Sequence, residues 1–275
     1  MAGEAEQQLR AYVEYFRDLG VHDFYRQGEP VFAEAAVEAV SEPIVAAEPP
    51  VVVSSKPAFL EPPIAKLVSF DDLAPLPQGR VAAAEKAAAL AAIQEEIGDC
   101  TRCPLAYAGR RKIVFGDGDA NARLMFVGEG PGADEDATGV PFVGKAGQLL
   151  NNMIAAMGLK REEVYIANIV KCRPPANRAP EPAEANVCTQ FLVRQMDVVQ
   201  PEVVVALGAT AATYLLGVKR SLSSLRGRWH RCRGEKLAVT YHPAFLLRAP
   251  RQKGEAWKDL QMVLAVVGLK ATAKG

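Results

Sequence analysis

Arg123-Leu124-Met125-Phe126-Val127-Gly128-Glu129-Gly130-Pro131-Gly132 decides the fold. Four consecutive apolar residues run without polar alternation and stop at a loop carrying three glycines in five positions. A short, unbroken apolar run of this kind predicts a strand buried on both faces, which needs helices above and below it. The same pattern recurs downstream at residues 164–166, 203–207 and 237–240. Helical periodicity follows each run in turn, at roughly 145–157, 181–199, 209–216 and 255–267. Strands alternating with helices predict a three-layer α/β/α domain around a central, mainly parallel four-stranded sheet. Ligands of such sheets bind outside the carboxyl ends of the strands. Gly128 to Gly132, Asn168, Gly208 and the pair Tyr241-His242 therefore converge on one edge.

The glycine loop lacks the lysine of a phosphate-cradling P-loop and the G-x-G-x-x-G spacing, which argues against a nucleotide site. Taken alone it is a weak motif and reads better as a structural turn. The cysteines say more. Cys100 and Cys103 form a C-x2-C pair ahead of the first strand, and Cys172 and Cys188 lie far downstream. Four such thiols hold either a cubane iron–sulfur cluster or a tetrahedral zinc ion, stapling segments distant in the chain. The fifth, Cys232, sits between Arg231 and Arg233 and reads as a structural thiol.

The first residues, MAGEAEQQLR, are acidic with no apolar run behind a basic stretch, so no secretory signal is read there. No stretch approaches the roughly 18 apolar residues a membrane span needs. The expectation is a cytoplasmic protein, a compartment in which cysteines serve as ligands more often than as disulfides. The net charge of zero hides an asymmetry: residues 1–97 hold 7 Lys and Arg against 16 Asp and Glu, and the remainder hold 25 against 16. A basic body suits a polyanion, since neutralising phosphates releases counterions; ordinary surface charge explains it equally well. Residues 1–40 read as an extension with an amphipathic helix at 5–19, either a docking element for a protein partner or a disordered tail. Residues 41–80 hold eight prolines and read as an extended, mobile linker. The folded domain is expected over 81–275.

From Ala133 onward the motifs become specific. G-E-G-P-G-x-x-E-D from Gly128, G-x-P-F-V-G-x-A-G-x-L-L from Gly139, N-x-V-K-C-R-P-P-x-N-R-x-P from Asn168 and H-P-A-F-L-L-R from His242 follow in that order, with cysteines to match. Together they resemble the family 4 uracil-DNA glycosylases, the iron–sulfur branch of the uracil glycosylase superfamily, over roughly residues 90–268. The resemblance implies a monomeric DNA repair enzyme that flips uracil out of DNA and hydrolyses its N-glycosidic bond, leaving an abasic site. It implies that Phe142 stacks on the base and that Asn168 reads O4 and N3–H, with Gly130 and Pro131 lining the pocket. His242 would stabilise charge developing on O2. It assigns Cys100, Cys103, Cys172 and Cys188 to a [4Fe-4S] cluster, with zinc as the second choice.

The better-known branch of the superfamily carries an aspartate where Gly130 stands, positioned to activate water. Glu129 and Glu135 are then the acids left to position water or stabilise the sugar cation. The basic segment 219–233, with Arg226 and Arg228, and Arg248 beyond the histidine are expected to contact phosphates. Leu247, or Leu246, would wedge into the gap left by the base. Two other readings stay open: a non-catalytic DNA-binding or polymerase-associated module, and a glycosylase of broader deaminated-base range. A superfamily variant that bonds covalently to the sugar has a basic, histidine-containing insert after the Asn-bearing strand, and Lys171-Cys172-Arg173-Pro174-Pro175 leaves no room for one.

Overall fold

A computed structural model describes residues 67–271. The four apolar runs become strands: Leu124–Gly128 (β2), Tyr165–Asn168 (β3), Val203–Leu207 (β4) and Glu235–Thr240 (β6). They pair in parallel as β3-β2-β4-β6. Two short antiparallel strands extend this sheet at its edges, Asp117–Gly118 (β1) beside β3 and His230–Cys232 (β5) beside β6. The sheet is thus six-stranded, in the order β1-β3-β2-β4-β6-β5. The edge strands escaped the sequence reading because their two and three residues carry no apolar run.

Every residue of β2, β3 and β4 is buried, and alternate side chains feed two separate cores. Met125 and Val127 face one of them, Leu124 and Phe126 the other. The first core is closed by helices Lys86–Ile97 (α2), Pro182–Val199 (α5) and Ala209–Leu216 (α6), and it also contains Cys172 and Cys188. The second is closed by Lys145–Ala156 (α4) and Lys253–Val267 (α9). Each fully buried Val, Leu or Ile contributes about 1.5–3 kcal/mol of transfer free energy, so two-sided burial of the strands is what makes the layered arrangement stable. No helix among the described residues is long and apolar enough to cross a membrane.

The end of the stretch read as linker packs onto the domain. Its last part holds a short helix, Phe70–Leu73 (α1), with Phe70 fully buried. Arg233, itself 3% exposed, donates to the carbonyls of Phe70, Ala74 and Pro75 and forms a bidentate pair with Asp197 at 2.7 and 2.9 Å. Gln200 completes the attachment through Gly79 O and Val81 N. Proline content predicts an extended backbone, and the backbone is indeed irregular here. What composition does not reveal is that a buried guanidinium and an amide downstream satisfy its carbonyls. The amphipathic helix at 5–19, the extension 1–40 and the linker up to residue 66 lie outside the described residues.

Candidate active site

The parallel register sets Gly128 directly beside Asn168 at the carboxyl ends of β2 and β3. There a cleft of about 600 Å³ opens, lined by Glu129, Gly130, Pro131, Glu135, Phe142, Asn168, His242 and Arg248 among others. The sequence-predicted pocket residues therefore meet in one place.

Asn168 ends β3 and is 1% exposed. Its Oδ1 is fully buried and has no hydrogen-bond partner among the described residues. A buried, unpaired acceptor costs about 1–3 kcal/mol, so the amide is held at a price that a ligand donor would offset. Gly128 makes its placement possible: a Cβ there would lie 2.4 Å from Asn168 Oδ1 and 2.5 Å from the Phe142 ring. Only a glycine lets the amide and the ring sit side by side over β2.

Phe142 adopts φ +53°, a left-handed conformation that costs a non-glycine residue roughly 1–2 kcal/mol. Two groups hold it. Arg161 donates to the Phe142 carbonyl at 3.1 Å and to the Pro141 carbonyl at 2.5 Å. Glu135, at the start of the helix Ala133–Thr138 (α3), accepts from the main-chain N–H of Gly132 at 3.0 Å and from those of Val143 and Gly144 at 2.9 Å. The Phe142 ring lies 5.6 Å from the His242 ring, tilted by 35°. Gly147 is the fixed point behind this loop, since a Cβ there would meet the Phe142 carbonyl oxygen at 1.8 Å. Gly147→Ala is expected to displace the Phe142 peptide and lower base release by about 10²-fold, the scale of an ångström-sized misplacement. Single-turnover kinetics on a uracil oligonucleotide checks this; a rate within twofold of wild type would show that the loop accommodates the methyl.

His242 caps the helix Pro243–Arg248 (α8), its Nδ1 accepting the Ala244 N–H at 3.1 Å. That bond fixes the neutral tautomer, because the proton must then reside on Nε2. Burial, and secondly the charge of Arg248, lower its pKa to about 4, with Glu135 opposing. Near neutral pH the ring is an uncharged Nε2–H donor.

The four cysteines surround a second, small cavity walled by Ile97, Ile113, Val187 and Phe191. The Lys171 N–H reaches Cys188 Sγ at 3.2 Å, and Arg110 and Arg102 donate to Cys172 Sγ at 3.2 Å and Cys100 Sγ at 3.4 Å. Burial pushes the Cys188 thiol up to about 12 and the Cys172 thiol upward. The donor set fits a cluster: four soft sulfur donors in an apolar pocket, with N–H groups and guanidiniums turned on the sulfurs. Cys232 lies elsewhere, fully buried against Leu215 O.

Several placements depart from the sequence reading. Arg226 does not project as a phosphate contact: it pairs with Asp259 at 2.7 Å and lies over the Tyr241 ring at 3.9 Å. Arg233, from the same basic run, grips the segment at 70–75. Arg228 is exposed but does not line the cleft. Leu246 is buried and Leu247 is 43% exposed, leaving Leu247 as the available wedge. Glu135 has both oxygens engaged by main-chain donors, whereas the Glu129 carboxylate makes no hydrogen bond or ion pair among the described residues, although the Glu129 carbonyl accepts the Val170 N–H at 3.2 Å. Arg161 and Lys171 were missed. Lys171 is 2% exposed and donates to Asn168 O at 3.0 Å and Gln195 Oε1 at 2.6 Å, joining the wall of the cysteine cavity to the end of β3.

The comparisons agree with this geometry. The model of the uracil DNA glycosylase superfamily matches residues 115–261. The chain is 47% identical over 160 residues to the type-4 uracil-DNA glycosylase of Thermotoga maritima, covering 57% of this chain and 82% of that protein. Against the type-4 enzyme of Pyrobaculum aerophilum it is 40% identical over 178 residues, covering 62% and 90%. Against that of Archaeoglobus fulgidus it is 40% identical over 186 residues, covering 65% and 93%. With its glycine loop, amide and histidine all at the carboxyl ends of strands in one parallel sheet, the chain belongs to the uracil DNA glycosylase superfamily, in its type-4 branch.

Proposed function

We propose that this chain removes uracil from DNA by hydrolysing its N-glycosidic bond, with a flipped-out uracil seated between Phe142, Asn168 and His242. The observation that carries the residue assignment is the unpaired, buried Asn168 Oδ1 beside an aromatic ring. Oδ1 accepts the N3–H of uracil while Nδ2 donates to O4. Cytosine offers no N3–H and presents an amino group in place of O4, so both contacts would fail. Phe142 stacks on the face of the base.

His242 Nε2–H donates to O2, where charge grows as the N1–C1′ electron pair leaves with the base. A donor so placed contributes about 2.7–4 kcal/mol to the transition state. Water adds to C1′ of the cationic sugar and gives up a proton to solvent, which balances the one the departing uracil anion takes up at N1. Glu129 is the acid available to orient that water and balance the cation, and Glu135 acts as the loop's positioning group. The test is release of free uracil from a uracil-containing oligonucleotide, followed by alkaline strand cleavage. An intact strand at stoichiometric enzyme rejects the activity. A DNA-binding module without catalysis would give that result while retaining affinity.

A neutral His242 has a consequence for pH. Because its pKa is lowered to about 4, the ring does not change charge between pH 5 and 8. Single-turnover base release is expected to show no inflection near 6.5, the ordinary histidine value. The rate should decline only as pH approaches 4, where protonating Nδ1 breaks its bond to Ala244 N–H. An inflection between 6 and 7 that vanishes in His242→Gln would contradict the neutral-donor assignment.

Cys100, Cys103, Cys172 and Cys188 are the residues to hold a [4Fe-4S] cluster. Its contribution would be structural, tying the segment after α2 to the end of β3 and to α5. The basic residues near the cleft, Arg248 foremost, would meet the DNA backbone, and uracil-containing DNA is the partner. The folded enzyme would occupy residues 81–275 together with the attached segment from Phe70, preceded by the remainder of the linker read at 41–80. The extension at 1–40 would serve for docking to a protein partner, with the enzyme acting as a monomer in the cytoplasm.

A further inference from the structure

Among the described residues the large exposed hydrophobics are Leu76, Tyr107, Val218, Phe245 and Leu247, and two of these five stand on the helix that His242 caps. Phe245 lies at the rim of the cleft beside Ala244 and Arg248 and is 37% exposed. Its ring is also backed. The Tyr241 ring stacks on it at 5.1 Å and 22°. Arg226 lies over the Tyr241 ring at 3.9 Å and is fixed in turn by Asp259 at 2.7 Å, with the two charged side chains only 11% and 4% exposed.

An ion pair, a cation over a ring and a ring over a ring thus end in one exposed aromatic surface. A surface residue needs no such support for its own stability. A guanidinium held in a buried ion pair and stacked on an aromatic ring makes the column rigid. A pre-set aromatic surface loses little entropy when a planar ligand settles on it. Arg248, one turn along the same helix face, also lines the cleft, and Arg251 and Lys253 follow. Positive charge beside an exposed ring is the chemistry that binds single-stranded nucleic acid: phosphates to the cations, a base face to the aromatic.

We propose that Phe245, held by the Asp259–Arg226–Tyr241 column, is a stacking platform for the base adjoining the flipped uracil in the same strand. The proposal rests on the uracil-excision reading and extends it to a second base subsite. It gives Arg226 a role through Tyr241 and Phe245 rather than through phosphate. It also separates two neighbours on one helix, with Leu247 offered to the gap in the stack and Phe245 to the adjoining base.

Affinity is measured with the full-length protein, by fluorescence anisotropy, on a single-stranded oligonucleotide carrying a 2′-fluorinated uracil that resists hydrolysis. The nucleotide 5′ or 3′ to the uracil is either intact or replaced by a tetrahydrofuran abasic residue. For the wild type, removing the base on one side is expected to raise Kd about tenfold, within the span of base–aromatic stacking. Phe245→Leu should show that loss already on the intact strand and no further loss on the abasic one. Phe245→Tyr and Phe245→Trp should behave like the wild type, a rescue that a purely packing role would not produce. Wild-type affinity indifferent to either neighbour, or Phe245→Leu losing the full tenfold on base removal, overturns the proposal. The first of these outcomes decides the matter even if Phe245→Leu fails to fold. Uracil release from an ordinary substrate is assayed separately: no release by wild type removes the glycosylase reading, whereas release with a null binding cycle removes only the stacking platform.

Discussion

Asn168→Ala is expected to lower uracil release by about 10³-fold while leaving the protein as stable as before, or slightly more so. The loss follows from what the amide would do. One buried side chain supplies both contacts to the Watson–Crick edge of uracil, and a lost transition-state donor alone costs about 10²–10³-fold. The unchanged stability follows from what the amide does without a base. Its Oδ1 is buried with no partner among the described residues, so truncation removes an unsatisfied acceptor, which offsets the small cavity left behind. Each kcal/mol shifts the melting temperature of a domain this size by about 2–4 °C, so a rise of a few degrees is measurable by scanning calorimetry. Lost activity with a large fall in melting temperature would mean that the amide is structural, and the base-reading role would go with it.

The second large effect lies in the other cavity. In Cys188→Ser, iron and acid-labile sulfide are expected to disappear from the purified protein, and the melting temperature to fall by roughly 10 °C, as the loss of several kcal/mol requires in a domain of this size. Cys188 lies on α5 and accepts the N–H of Lys171 at 3.2 Å. Serine can keep that hydrogen bond, but its hydroxyl is a poor ligand for iron. Without the proposed shared core, α5, the end of β3 and the loop bearing Cys100 and Cys103 would lose their common tie. The loss reaches the base site by a short route, since Lys171 is bonded to both Cys188 and the Asn168 carbonyl. Full iron and sulfide in the serine variant would remove Cys188 from the ligand set. Stoichiometric zinc in the wild type would remove the cluster.

The apolar runs at β2, β3, β4 and β6 were legible because strands buried on both faces leave no polar residue to blur the pattern. Their order in the chain already implied the edge on which Gly128, Asn168 and His242 meet. The edge strands β1 and β5 were not legible, being too short and polar for any periodicity. The basic run at 219–233 misled for a related reason. Charge in sequence says nothing about direction, and Arg226 and Arg233 turn inward to carboxylates and carbonyls that lie 33 to 163 residues away. Glu135 was read as a candidate for the chemistry because it is acidic and near the loop. One of its main-chain N–H partners, Gly132, is the N-cap of its own helix, but the other two, Val143 and Gly144, belong to the loop ahead of α4 and meet it only through the fold.

The sequence by itself determined the layered architecture, the family and the identity of the residues at the cleft, because each depends on residue types at short range or in fixed order. Tertiary structure alone decided which of those side chains are free to act. Whether a carboxylate, guanidinium or aromatic ring is available depends on what occupies its partners' positions across the fold. Asn168 Oδ1 is left without a partner among the described residues, Glu135 and Arg226 are already engaged, and Phe245 is backed on one side and open on the other.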